Sequence, residues 1–350
     1  MKFKCFNNQS NLYNRCKKPN KTLVVNPTVD QIVNLYSAQD IYNSIFDTHN
    51  NGFFKLYDYA DQTEGITKYI NSNDPIVKQL VKMNGNGDKL QLWVDQVKPL
   101  ESENYAVKSI RVKSTVFVER ASSQNSGIIV FSVSHCPCGE GIWPALWADG
   151  PGWPNGGEID VMEGCNSGAV FPGAYTVDEK TPDIDNNRGL YNTSTLHTSQ
   201  GCNSCGDNPG IGCPQYFTGS NTFGEGFNTA GGVYVCLLDT LGNVKILFFK
   251  KDGLPTILQD NKNPISLNDI KNIETSAVES KTFEYGCSKY FNALVIIINI
   301  AVGGGFSYPL YGDSMMNCVD SIIKYGPDGK ISDQAYWEID YIKTCSYPSA

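Results

Sequence analysis

An all-β sandwich of two packed antiparallel sheets is the architecture this 350-residue chain predicts, on three grounds. Short apolar segments recur with a side-chain period of two, the stretches between them are rich in Gly, Asn, Asp and Pro, and helical periodicity is scarce. Residues 1–27, rich in Asn and Lys, lack periodicity and contain Cys5 and Cys16, so they read as a tail tethered by a disulfide. Thr28 and Gln31 have capping-box spacing ahead of Ile32, Val33 and Leu35, which predicts one short helix there.

Strands follow. Ile110, Val112, Val116 and Val118 fall on one side of a period of two, and Ser109, Arg111, Lys113 and Thr115 on the other: a half-buried strand. Similar segments cover 90–97, 127–134, 233–238, 244–249, 294–301 and 337–344, separated by turn clusters such as Asn84-Gly85-Asn86-Gly87 and 151–157. No fixed-period repeat and no linker divides the chain, so 28–350 reads as a single domain.

Composition narrows the function classes. With 28 basic and 36 acidic side chains the formal charge is -8, which argues against a nucleic-acid partner. Hydrophobic residues at 41% and charged residues at 18% supply a sizeable core and exclude a disordered chain. The longest strongly apolar run, 293–302, is interrupted by Asn299 and is about half the ~20 residues a membrane helix needs, so no membrane span is expected. Twelve cysteines and acceptor sequons at Asn8, Asn20 and Asn192 point to an extracellular, secreted protein, although the N-terminus shows no signal peptide. The even cysteine count permits complete disulfide pairing and leaves the connectivity open.

The chemistry concentrates between Gly141 and Gly164. Glu158, Asp160 and Glu163 lie within six residues on an otherwise apolar strand. In a regular strand Glu158 and Asp160 share a face and Glu163 points away; one extra residue at Val161 or Met162, a β-bulge, would bring Glu163 back. Two carboxyl groups ~5 Å apart suit a retaining glycosidase, one attacking the sugar while the other protonates the leaving oxygen. At an effective dielectric of ~20 their charges repel by about 3 kcal/mol, so one stays protonated, and Asp160 between them can orient its neighbour. Trp143, Trp147 and Trp153, three of only five tryptophans, offer flat faces to sugar rings, and Asn155 can bind hydroxyls. The competing reading is ordinary aromatics beside a solvated acidic strand end.

Trp-Pro-Ala-Leu-Trp followed by Gly-Gly-Glu-Ile-Asp-Val-Met-Glu-Gly resembles family 16 of the glycoside hydrolases, in the branch of laminarinase-like endo-β-1,3(4)-glucanases. Segments 61–69, 108–111, 195–198, 226–228 with 231–234, and 336–341 agree in order, so the resemblance covers roughly 35–345. It implies a β-jelly roll with a concave substrate cleft, with Glu158 as nucleophile, Glu163 as acid/base and Asp160 as the assisting acid. It also implies that Trp143, Trp147, His197 and Arg111 on an inner strand face the polysaccharide, and that no cofactor is used. Residues 301–306 stand where many relatives carry a Gly-Asp-Trp-like segment, so one stacking tryptophan is expected to be missing.

Other signals have plainer explanations. His135-Cys136-Pro137-Cys138 and Cys202, Cys205 and Cys213 have zinc-like spacing, but disulfides closing a long loop fit an exported protein better, and no metal site is expected. A structural Ca²⁺ on the convex side has no dedicated loop to hold it. Glu338-Ile339-Asp340 repeats the start of the acid motif without its third acid, as an amphipathic last strand would. The reading that results is a monomeric, secreted, retaining endo-glycosidase acting on β-1,3 or mixed β-1,3/1,4 glucan. Its alternatives are a non-hydrolytic β-glucan-binding protein and a transglycosylase on the same fold.

Overall fold

The computed structural model describes residues 32–47, 52–102, 105–115, 127–150, 158–165, 191–197, 213–217, 219, 221–238, 243–283 and 294–344, with only the backbone course for 32, 33, 191–197, 213–216, 267 and 283. The tail 1–27, with Cys5, Cys16, Asn8 and Asn20, lies outside the described residues. Six strands open the chain: β1 (Ile32–Ser37), β2 (Phe54–Leu56), β3 (Thr67–Tyr69), β4 (Val81–Met83), β5 (Leu90–Trp93) and β6 (Val107–Ser109). Next come β7 (Arg111–Ser114), β8 (Gly127–His135), β9 (Ile142–Asp149), β10 (Glu158–Cys165), β11 (Tyr191–His197) and β12 (Cys213–Tyr216). The last are β13 (Gly232–Leu238), β14 (Val244–Lys250), β15 (Ile265–Ser266), β16 (Glu279–Phe283), β17 (Val295–Val302) and β18 (Tyr336–Thr344). The helices are short: α1 (Ala38–Ile45), α2 (Val77–Leu80), α3 (Gly224–Asn228), α4 (Thr256–Gln259), α5 (Leu267–Ile273) and α6 (Met315–Tyr325).

Two large sheets result, as expected of a β-jelly-roll sandwich. One runs β15-β1-β18-β8-β13-β14-β16 with β5 and β4 attached beside β18; the other runs β12-β11-β10-β9-β17-β7-β2. Their pairings are antiparallel, and a small third pair, β3 with β6, is parallel. Between the large sheets, Phe131, Tyr234, Phe248 and Trp337 pack in one core with Leu146, Ile159, Met162, Ile296, Ile298 and Ile300. Each fully buried side chain of this kind contributes about 1.5–3 kcal/mol. A second core lies outside the first sheet, where Val130, Val235, Leu247 and Phe249 are covered by Leu258 of α4 and Ile270 of α5. Strands covered on both faces lose polar alternation, and β13 is accordingly buried throughout.

The expected strands at 127–134, 233–238, 244–249, 294–301 and 337–344 are present within a residue or so at each end. The segment at 90–97 ends earlier, at Trp93. Two expectations are corrected. Residues 32–37 are strand, not helix: Leu35 faces the outer core and Tyr36 the inner one, and pairing of 34–37 with β18 outweighs the local capping signal. The helix starts one step later, where Ser37 and Asp40 form the capping box and Ala38, Ile41 and Ile45 supply the buried stripe. Of the strand expected at 109–118, residues 116–118 lie outside the described residues and the remainder is divided at Ile110, because β6 pairs with β3 whereas β7 pairs with β17 and β2; Ser109 is buried and donates to the Ile300 carbonyl at 2.6 Å.

Among the described residues pairing is not complete: Cys136, Cys138, Cys236 and Cys318 are free and buried. The His135-Cys136-Pro137-Cys138 turn is held by polar stitching. Asn228 Oδ1 accepts from the Cys136 amide at 2.7 Å, its Nδ2 donates to the Cys136 carbonyl at 3.0 Å, and His135 Nδ1 lies 2.8 Å from the Tyr336 carbonyl. Among the described residues no cluster of three or more His, Cys, Asp or Glu is arranged to hold a metal ion; Cys202 and Cys205 lie outside them, as does the Cys213 side chain. Glu338 and Asp340 sit on the sheet away from the acid strand, tied to Lys89 at 3.5 and 3.8 Å and, for Asp340, to Lys251 at 2.6 Å.

Candidate active site

Strand β10 carries the three acids between β9 and β11. Its register slips against both neighbours after Asp160, so Val161 and Met162 together occupy the bulge. Both side chains are buried in the core, and the strand resumes with Glu163 opposite Ala145. Across the same strand pair, Glu158 is opposite Asp149 and Asp160 opposite Trp147. Cross-strand partners share a face, so Glu158, Asp160 and Glu163 lie with Asp149, Trp147, Ala145 and Trp143 on the side of the sheet away from the core. Without the extra residue Glu163 would point among the isoleucines.

The acids differ in exposure and therefore in protonation. Asp160 is buried, and burial, then the charge of Glu158, then a hydrogen bond to Glu158 hold its carboxyl well above the usual carboxylate range. Asp160 thus keeps its proton and donates it to Glu158. Asp149 is also raised, chiefly by burial, although Lys113 Nζ is 3.2 Å away and opposes the shift.

Aromatic side chains around the acids are anchored by their polar edges. Trp143 Nε1 donates to Glu163 Oε1 at 2.8 Å, and Trp147 Nε1 donates to Asn299 Oδ1 at 2.6 Å. Asn299 also donates through Nδ2 to Tyr69 Oη at 3.1 Å. The Arg111 guanidinium stands 5.1 Å from the Trp147 ring centre and 5.8 Å from that of Tyr69, within cation–π range. Phe306 stacks on Trp143 at 5.2 Å. Gly304, at φ +104°, approaches so closely that a Cβ there would sit 2.8 Å from Trp143 Cζ3, which is why no larger residue fits. The 61–67 segment is pinned by Asp61, which accepts from Thr63 Oγ1 at 2.6 Å and the Gly65 amide at 3.1 Å, and it docks on β17 through the Ile66 amide and Val302 carbonyl.

Of the residues expected from sequence, Glu158, Asp160, Glu163, Trp143, Trp147 and Arg111 come together on this face. His197 lies opposite Glu158 in backbone register, but its side chain, together with Trp153 and Asn155, lies outside the described residues. Asn299, Tyr69, Asp149 and Lys113 were not anticipated. The available signal was Asn299, the one polar residue in the buried strand β17.

The model of the XgeA-like catalytic domain of glycoside hydrolase family 16 matches residues 54–345. A probable endo-1,3(4)-β-glucanase of Neosartorya fischeri is 28% identical over 310 residues, covering 84% of this chain and 43% of the relative. The endo-1,3(4)-β-glucanase XgeA of Emericella nidulans is 27% identical over 307 residues, covering 83% and 44%. The chain therefore spans less than half the length of these curated relatives. Among solved structures, laminarinase 16A from Phanerochaete chrysosporium, with β-glucans in donor and acceptor sites, superposes with a TM-score of 0.63 at 22% identity, over 90% of this chain and 99% of that one. An elongating family 16 β-1,3-glucosyltransferase gives 0.65 at 22% identity, with the same coverage. These two likenesses establish the shared jelly-roll fold. The chain belongs to family 16 of the glycoside hydrolases.

Proposed function

We propose that this chain is a retaining endo-β-glucanase that hydrolyses internal β-1,3 linkages, or mixed β-1,3/1,4 linkages, without a cofactor. The observation that carries the reading is the bulge at Val161 and Met162, which gives three acids one face beside two tryptophans. In the first step a Glu158 oxygen attacks the anomeric carbon, the bond to the leaving oxygen breaks, and Glu163 gives that oxygen its proton. In the second, water gives a proton to Glu163 and attacks the same carbon, releasing Glu158 as a carboxylate. Asp160 stays protonated throughout and holds Glu158 in line, for the burial reasons above.

The proposed sugar contacts are Trp147, Arg111 and, from the sequence, Trp153, Asn155 and His197. The relatives named as endo-1,3(4)-β-glucanases support the substrate class. Three sequons support export and a glycosylated surface, and no helix among the described residues is long and apolar enough to cross a membrane. We propose that the protein acts as a monomer.

Reducing-sugar release from laminarin tests the reading against a non-hydrolytic binder. The wild-type chain should release sugar and Glu158→Gln should fold normally while losing nearly all of that activity. Substantial hydrolysis by the variant would remove Glu158 from the role. Product sizing separates transglycosylation, which yields chains longer than the donor.

A further inference from the structure

The same indole that reads as a sugar platform is already engaged. Its N–H ends on Glu163 at 2.8 Å, Phe306 stacks on its ring at 5.2 Å, and Gly304 abuts its edge. We propose that Trp143 is a positioning residue for Glu163, fixing the carboxyl through the indole N–H, rather than a stacking platform for the glucan. This rests on Glu163 being the acid/base. A hydrogen bond to a carboxyl oxygen orients the group and favours its ionised form, so the N–H bears on both proton-transfer geometry and the pH at which the acid loses its proton.

The support for the indole is built into two separate parts of the chain. Asp61 holds the loop bearing Thr63, and Thr63 accepts from the Gly305 amide through its carbonyl at 2.8 Å, closing the 303–306 segment onto the ring edge. Phe306 thus has its ring turned onto Trp143. Other charged or titratable groups around the site are Glu158, Asp160 and Cys165 on β10, Asp149 on β9, His197 by register on β11, Tyr69 on β3, and Arg111 and Lys113 on β7. Asp61, Glu64 and Tyr308 come from the flanking loops, and β17 contributes none. All are left in place by a substitution at Trp143, so a change in the profile reports the indole.

The cleanest test replaces Trp143 by β-(3-benzothienyl)alanine, which keeps the ring's shape and substitutes sulfur for the N–H. On laminarin, kcat should fall by about tenfold with KM nearly unchanged, and the alkaline limb of kcat/KM should move up by about one pH unit. An unmoved limb with unchanged kcat, or a rise in KM alone, would overturn the proposal in favour of a sugar platform. Trp143→Phe provides the same readout by ordinary mutagenesis, with the acidic limb expected to stay in place. Glu163→Gln distinguishes the two levels of failure: if it retains hydrolysis the acid/base assignment itself falls, whereas if it is inactive and the benzothienyl variant is unchanged, only the role of Trp143 falls.

Discussion

Asp160 shows how one side chain links stability to chemistry. Its folded-state pKa is raised, so the folded protein holds a proton that the unfolded chain releases above ~4. Stability from this group is fully present below that value and is lost as pH rises through the folded value. Asp160→Asn keeps a donor toward Glu158 and removes the titration. Urea unfolding from pH 4 to pH 8 should therefore show a flatter decline for the variant and a stability at neutral pH no lower than wild type, even as hydrolysis falls. Parallel curves would contradict the buried, protonated state of Asp160. The spacing of the three acids was legible in sequence, and so was the need for an extra residue before Glu163. Which acid keeps its proton was not, because that depends on burial in the folded chain.

Strands β9, β10 and β17 act as one unit in placing the site. Leu146, Met162 and Ile298 anchor them in the core, while Trp147 and the acids share the other face. Asn299 is the joint: it binds Trp147 and Tyr69 by its side chain, and its carbonyl accepts from Trp337 Nε1 at 3.1 Å. Asn299→Ala should cost about 1–3 kcal/mol in chemical denaturation, because it strands the Tyr69 hydroxyl and the Trp147 N–H. A cost under about 0.5 kcal/mol would mean that water replaces both contacts. KM should rise as Trp147 loosens. Period-two patterning identified most of these strands, but it could not show that residues 107–109 and 111–114 enter different sheets. Nor could it reveal the strand at 32–37, where cross-strand partners more than 300 residues away decide the outcome.

At the scale of the whole molecule, the sandwich was legible from alternation and turn chemistry, whereas the second core outside the larger sheet was not. That core depends on α4 and α5, whose short segments carry little periodic signal of their own. Cysteine usage was the least transparent feature. Four free thiols among the described residues, Cys136, Cys138, Cys236 and Cys318, are buried, and burial raises the Cys138 pKa to about 12 and that of Cys136 well above its ordinary value. Alkylation with iodoacetamide at pH 8 should leave Cys136, Cys138, Cys236 and Cys318 unmodified in the native protein and modify all four in guanidinium, as read by peptide mapping. Rapid native labelling at any of them would show that the core opens there.

The central claim is that a bulged strand aims Glu158 at a sugar's anomeric carbon with Glu163 on the same face. Trapping the glycosyl-enzyme with an activated 2-deoxy-2-fluoro-laminaribioside and mapping the labelled peptide by mass spectrometry tests it most directly. The expected result is one sugar on Glu158, in Glu163→Gln as in the wild type, because the activated leaving group departs without a proton. A label on Glu163 or Asp160, or brisk laminarin hydrolysis with an inverted anomeric product and no label, would contradict it.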